Sequence, residues 1–197
     1  MNDQAHSTRE MIEEAALRLF AMKGYPQTSM EEIAKDVGIS KPAIYHHFES
    51  KERLFRSILD NARKEQDRIM DEVRAGNLSL HDAIEQLIRR VIQFIREKPD
   101  WARLILLIHQ IPGDMKNMLD LNRLEEENRA VFIGLVKHSM AGFKLRPGLT
   151  MENFADFLMG VFYAFVAKGL LMGETYDMDT TPRVVRDIVL YGSFEKA

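Results

Sequence analysis

The segment Thr28–Phe55 reads TSMEEIAKDVGISKPAIYHHFESKERLF, and its reading decides the fold. Met30, Ile33, Ala34 and Val37 repeat at helical spacing and make one buried face. Thr28 or Ser29 caps this short helix, and Glu31 and Glu32 sit near its positive end. Gly38 stops it. Ser40 caps a second short helix, Lys41 to about His47, with Pro42 in the first turn where no N–H is needed. Ala34 and Gly38 are small where the two helices cross, Ile39 and Ile44 plug the space beneath the turn, and Phe48 joins Ile44 in the core. Ser50 caps the helix that follows. With a stabilising helix in front, this is the layout of a helix-turn-helix, whose second helix enters a DNA major groove. A helical hairpin with no DNA role shares the spacing.

Charge favours the DNA reading locally. Lys35, Lys41, Lys51, Arg53 and Arg56 face only Asp36, Glu49 and Glu52, with His46 and His47 in addition, whereas the whole chain carries −3. Any DNA contact therefore comes from a patch and not from a global field.

Working outward, Ile12, Ala15, Ala16, Leu19 and Phe20 form the stripe of a helix over Thr8–Lys23, capped by Ser7 or Thr8 and ended by Gly24. The helix after Ser50 reaches about Arg74. At 25 residues it would be about 37 Å long, and its polar middle, Arg63 to Arg68, suits a helix spanning two bodies. Further helices are expected from Ser79 to about Lys98, from Pro99 through Trp101–Ile111, from Asp114 or Met115 to Met140, from Thr150 to about Met172, and from Thr181 to about Phe194. Strand signals are nearly absent. The expected fold is all-α, with a helix-turn-helix domain over 1–55 and a larger helical ligand-binding and dimerisation domain over 56–197.

The composition excludes several classes. The 197 residues contain no cysteine, which removes disulfide scaffolds, cysteine zinc fingers, iron–sulfur centres and cysteine nucleophiles. With 46% hydrophobic residues the chain can build its core without staples. The histidines at 6, 46, 47, 81, 109 and 138 lack metal-ligand spacing, and no phosphate loop or nucleophile elbow occurs. No catalytic residue, metal or cofactor is expected. The start lacks a signal-peptide pattern, and the apolar stretch Phe157–Ala167 falls short of a membrane span. A soluble cytoplasmic protein with no membrane role is expected.

The string Gly38-Ile39-Ser40-Lys41-Pro42-Ala43-Ile44-Tyr45-His46-His47-Phe48-Glu49-Ser50-Lys51-Glu52-Arg53-Leu54 closely resembles the recognition region of the TetR family of bacterial transcriptional regulators. Ala15–Phe20, Gly24-Tyr25 and Thr28–Ala34 match as well, so the resemblance covers about residues 8–60. It implies a three-helix DNA-binding domain, a helical ligand domain and a homodimer closed by the last two helices of each chain. It also implies a repressor that releases double-stranded operator DNA on binding a small molecule. By that resemblance Thr28 and Ser29 meet phosphate. Ser40, Lys41, Pro42 and Ala43 form the base-facing end of the recognition helix, Tyr45 and His46 contact phosphate or bases, and Lys51 meets phosphate at the next helix's N-terminus.

The ligand domain carries weaker signals. Trp101, Leu104, Ile105, Leu107, Ile108 and Ile111 crowd one segment, and the chain holds 12 methionines. Methionine-rich surfaces re-pack around varied apolar partners, and the expected effector is a mostly apolar small molecule. It would sit between Trp101–Ile111 and the Phe154–Met172 helix, with Trp101, Arg103, Ile105, His109, Phe132, Phe162 and Tyr163 as candidate contacts. Pro112-Gly113 is the candidate joint. The helix from Glu152 is apolar on more than one side, with Gly160 and Ala164 on a small-residue face, so it must bury two faces. A helical lipid or small-molecule carrier without a DNA role is the competing class, and an enzyme built in the apolar cavity is a second.

Overall fold

The computed structural model describes residues 7–76, 78–108, 111, 113–140 and 143–196. Its elements run α1 (Thr8–Lys23), α2 (Met30–Val37), α3 (Lys41–His47), α4 (Lys51–Ala75), α5 (Leu80–Glu97), α6 (Pro99–Ile108), α7 (Gly113–Met118), α8 (Leu121–Ser139), β1 (Phe143–Leu145), α9 (Met151–Leu171), α10 (Thr180–Ser193) and β2 (Phe194–Lys196).

The helices start where their caps dictate. Ser7 with Glu10, and Ser29 with Glu32, close reciprocal capping boxes on α1 and α2. Ser40, Ser79 and Thr150 accept backbone N–H bonds at the starts of α3, α5 and α9. Each bond satisfies an amide that a helix N-terminus leaves unpaired. Gly38 ends α2 with φ +78°, a left-handed conformation that a side chain disfavours.

One core holds the first three helices on the start of α4. Phe20, Tyr25 and Phe55 meet with ring centroids 4.7 to 5.5 Å apart, and Ile12, Ile33, Ile44, Leu54 and Ile58 close around them. This core does not stop at residue 55. It continues into Leu104 and Ile108 of α6, then Ile111, Leu119 and Leu121. A second core gathers α5, α8, α9 and α10 around Leu80, Ile84, Leu135, Phe154, Leu158 and Leu190. The expected boundary at 55/56 thus falls inside a shared helix, with α6 packed on the DNA-reading side of it.

Three expectations are corrected. The single helix expected from Asp114 or Met115 to Met140 is split into α7 and α8. Leu119 is buried and Asp120 turns the chain with φ +60°, a conformation aspartate tolerates better than most residues. Strands are present, since β1 and β2 pair antiparallel with Lys144 opposite Glu195. The last helix therefore ends at Ser193, and Phe194 begins β2. The helix expected from Thr150 to about Met172 is α9, but its apolar part outruns the stretch Phe157–Ala167. By length and composition α9, 21 residues long with an 18-residue stretch of mean hydropathy 1.6, is able to cross a membrane. It instead buries Phe154, Ala155, Leu158 and Val166 within the fold and leaves its other face open.

Candidate nucleic-acid interface and ligand chamber

Helix α3 offers a short surface to solvent. Ser40, Lys41, Pro42, Tyr45 and His46 are exposed, Ala43 is half-buried, and Ile44 points into the core. Neighbouring positions on a helix point about 100° apart, and this separates the two histidines. His46 stays with the exposed face, while His47 turns toward a cleft lined by Arg9, Arg56 and Leu119. Lys41 pairs with Glu31, which raises the lysine pKa by hydrogen bond and charge. The Lys41 side chain is 61% exposed, and a surface pair of this kind contributes about 0–1 kcal/mol. Lys41 is therefore free to exchange Glu31 for a base edge or a phosphate.

Three expected phosphate contacts have other partners here. Thr28 is 1% exposed, and its hydroxyl donates to the carbonyls of Gly24 at 3.0 Å and Leu19 at 3.3 Å. The side chain fastens the α1–α2 connector and does not reach the surface. Ser29 remains half-exposed, but its hydroxyl is engaged in the α2 cap. Lys51, also expected to meet phosphate, is engaged by backbone carbonyls. Its Nζ donates to the carbonyls of Tyr25 at 2.9 Å, Thr28 at 2.9 Å and Pro26 at 3.4 Å, and lies 4.4 Å from the Tyr25 ring centroid. An ammonium has three N–H donors, and all three have protein acceptors. Burial lowers the Lys51 pKa. The residue acts as a clamp on the connector beneath α3.

A chamber of about 390 Å³ lies between α4, α5, α6, α8 and α9. The candidate contacts Trp101, Ile105, Phe132, Phe162 and Tyr163 line it. The remaining walls come mainly from Leu87, Val91 and Phe94 of α5, Met159 of α9, and the polar groups Asn61, Arg90, Lys98 and Asn128. Burial pushes the Tyr163 phenol up to about 12, so it stays neutral. Arg103 is not among the lining residues; it pairs with Asp100 at 3.4 Å one turn away. His109 and Pro112 lie outside the described residues. A larger cleft of about 690 Å³ borders Arg9, Arg53, Arg56, Arg63 and Arg123, but Glu52, Glu127 and other acids already pair most of these cations. The smaller chamber is the one suited to an apolar guest.

Residues 12–58 match the family described as bacterial regulatory proteins, tetR family. A curated relative, the HTH-type transcriptional repressor BepR of Brucella suis, is 29% identical over 180 residues, covering 89% of this chain and 86% of that protein. The HTH-type transcriptional repressor AcnR of Corynebacterium diphtheriae is 26% identical over 192 residues, 95% of this chain and 94% of that protein. Over residues 12–58 the chain carries the DNA-binding domain of the tetR family. It is a DNA-binding transcriptional regulator and not an enzyme. Among solved structures, the regulator FadR of Bacillus subtilis in complex with stearoyl-CoA superposes with a TM-score of 0.78 at 18% identity. That similarity covers 92% of this chain and 97% of the other, and it shows a shared fold.

The regulator's chamber walls from α4 and α5, and Asn128 of α8, were not singled out from sequence. The inward stripe of α5 was visible in Leu87 and Val91, yet nothing local distinguishes a residue facing a cavity from one facing solid core. Asn61, Asn128 and Arg90 carry no signal of their own on polar helix faces.

Proposed function

We propose that the regulator is a cytoplasmic homodimeric repressor that holds near-palindromic operator DNA with α3 and releases it when an apolar small molecule enters the chamber. The carrying observation is the course of α6. Trp101 and Ile105 form chamber wall, while Leu104 and Ile108 of the same helix are buried in the core that supports α3. A guest that displaces Trp101 or Ile105 must move side chains packed on the DNA-reading helices, because close-packed cores transmit strain. The stearoyl-CoA bound by the FadR of Bacillus subtilis is in keeping with an apolar guest. Residues 1–55 serve DNA reading and 56–197 serve ligand and dimer, with α4 common to both.

On the DNA side, Ser40, Lys41, Pro42, Ala43, Tyr45 and His46 form the reading face. Pro42 has no N–H, so readout rests on few hydrogen bonds and on DNA shape. Lys41→Ala is expected to change the preferred base at one position of each half-site, at about 1–3 kcal/mol per contact. Selection from random duplexes with wild-type and variant protein checks this. A uniform loss across all sequences would make Lys41 a phosphate contact.

On the ligand side, fatty acids, acyl thioesters and aromatic hydrophobes are expected to quench Trp101, the lone tryptophan, and to lower operator affinity by about 5–150-fold. Polar metabolites would leave buried groups unpaired at roughly 1–3 kcal/mol each. Fluorescence titration followed by DNA-binding anisotropy tests the claim. Release by sugars or amino acids, with no response to any apolar compound, would refute it.

A further inference from the structure

Asn61 takes part in two structures at once. It lines the chamber, and its Nδ2 donates to Oε2 of Glu13 on α1 at 2.9 Å. The Glu13 side chain is 13% exposed. Its other oxygen accepts from Ser57 Oγ at 2.6 Å, one turn before Asn61 on the same face of α4. Arg9, one turn before Glu13, places Nε 3.6 Å from that oxygen. The same guanidinium donates to Ser57 Oγ at 3.2 Å and to the His47 carbonyl at 3.1 Å, and lies 4.1 Å from the Phe48 ring centroid. His47 is the last residue of α3 and Phe48 its C-cap. A continuous set of polar contacts therefore joins the chamber wall to the end of the recognition helix.

We propose that Asn61 senses the polar head of the ligand and that Glu13 carries the signal to α3 through Arg9. The class of ligand this selects is an apolar molecule whose head presents a hydrogen-bond acceptor, a carbonyl or a carboxylate. The proposal rests on the chamber being the effector site. A carboxylate only accepts, so the contact between Asn61 and Glu13 depends on the Asn61 amide hydrogens. An acceptor that turns the Asn61 amide toward itself draws it off Glu13, and an anionic head also repels Glu13. Glu13 then closes its 3.6 Å gap to Arg9 and draws the guanidinium off the His47 carbonyl. That carbonyl belongs to the set a helix C-terminus leaves unpaired, where a cation is favoured. Its loss loosens the end of α3. Glu13 and Arg9 are positioning residues and touch neither ligand nor DNA.

The test compares two probes with one tail, dodecanoate and dodecyltrimethylammonium, on wild-type protein and Glu13→Gln. Trp101 fluorescence reports binding, and anisotropy of a selected operator duplex reports release. Both probes are expected to quench Trp101 in both proteins. Dodecanoate is expected to lower wild-type DNA affinity at least about fivefold more than it lowers that of Glu13→Gln, and at least about fivefold more than the ammonium probe lowers either. Equal release from Glu13→Gln, or equal release by the ammonium, overturns the relay and leaves the chamber reading intact. No quenching by either probe overturns both. A measurement without ligand tests the wiring alone. Asn61→Leu should raise amide exchange at His47 and Phe48 by about fivefold or more over Asn128→Leu. No difference between these two variants overturns the relay.

Discussion

Ala164→Arg yields a folded monomer of 22.8 kDa whose operator affinity is lower by at least about 100-fold. The expectation comes from an open apolar surface. On α9, Phe157 and Leu171 are exposed, and Gly160 and Ala164 lie between them. On α10, Val184, Ile188 and Tyr191 are 50%, 65% and 70% exposed. Large apolar side chains exposed this way on α9 and α10 mark an interaction surface. A two-fold axis would use the same patch on both chains. The substituted arginine enters solvent in the isolated chain, because Ala164 is exposed there, so the fold survives. In a dimer it enters a desolvated seam twice, which an unpaired charge makes costly. Loss of the dimer separates the two recognition helices, and the second half-site is no longer bound at high effective concentration. Sedimentation and operator titration decide it. A persistent dimer, or a monomer that binds as tightly as wild type, would remove this surface from assembly.

Lys51→Ala lowers the stability of the DNA-binding half and barely touches the salt dependence of DNA binding. The ammonium ties together the carbonyls of Tyr25, Pro26 and Thr28, and the Tyr25 ring packs on Phe20 and Phe55 behind them. Hydrogen bonds to a charged donor are worth about 1.5–3 kcal/mol, and a chain of this size shifts by about 2–4 °C per kcal/mol. The midpoint of thermal unfolding should therefore fall by roughly 3–12 °C. A lysine that neutralised one phosphate in each half-site would, on removal, shrink the salt slope by about 1.8. The expected change is below about 0.5, because the ammonium is held by protein. A full reduction of the slope with unchanged stability would return Lys51 to the DNA surface.

The sequence by itself determined the elements whose causes are local. Ser7, Ser29 and Ser40 cap helices by bonds that span three residues, and Gly38 ends α2 through its own backbone conformation. The exposed face of α3 followed from periodicity, and five chamber residues followed from bulk and apolarity. Fold class, family and regulatory role were legible for this reason. Only the tertiary structure decided what depends on partners distant in the chain. Lys51 meets carbonyls more than 20 residues away, and Glu13 meets Ser57 and Asn61 across 44 and 48 residues. The α7–α8 break and the β1–β2 pair likewise depend on neighbours the local pattern does not name. Capping and periodicity are written in spacings of three and four residues. A side chain's partner across the core is fixed by how whole helices pack, and that geometry gives Lys51 carbonyl partners that no local pattern names.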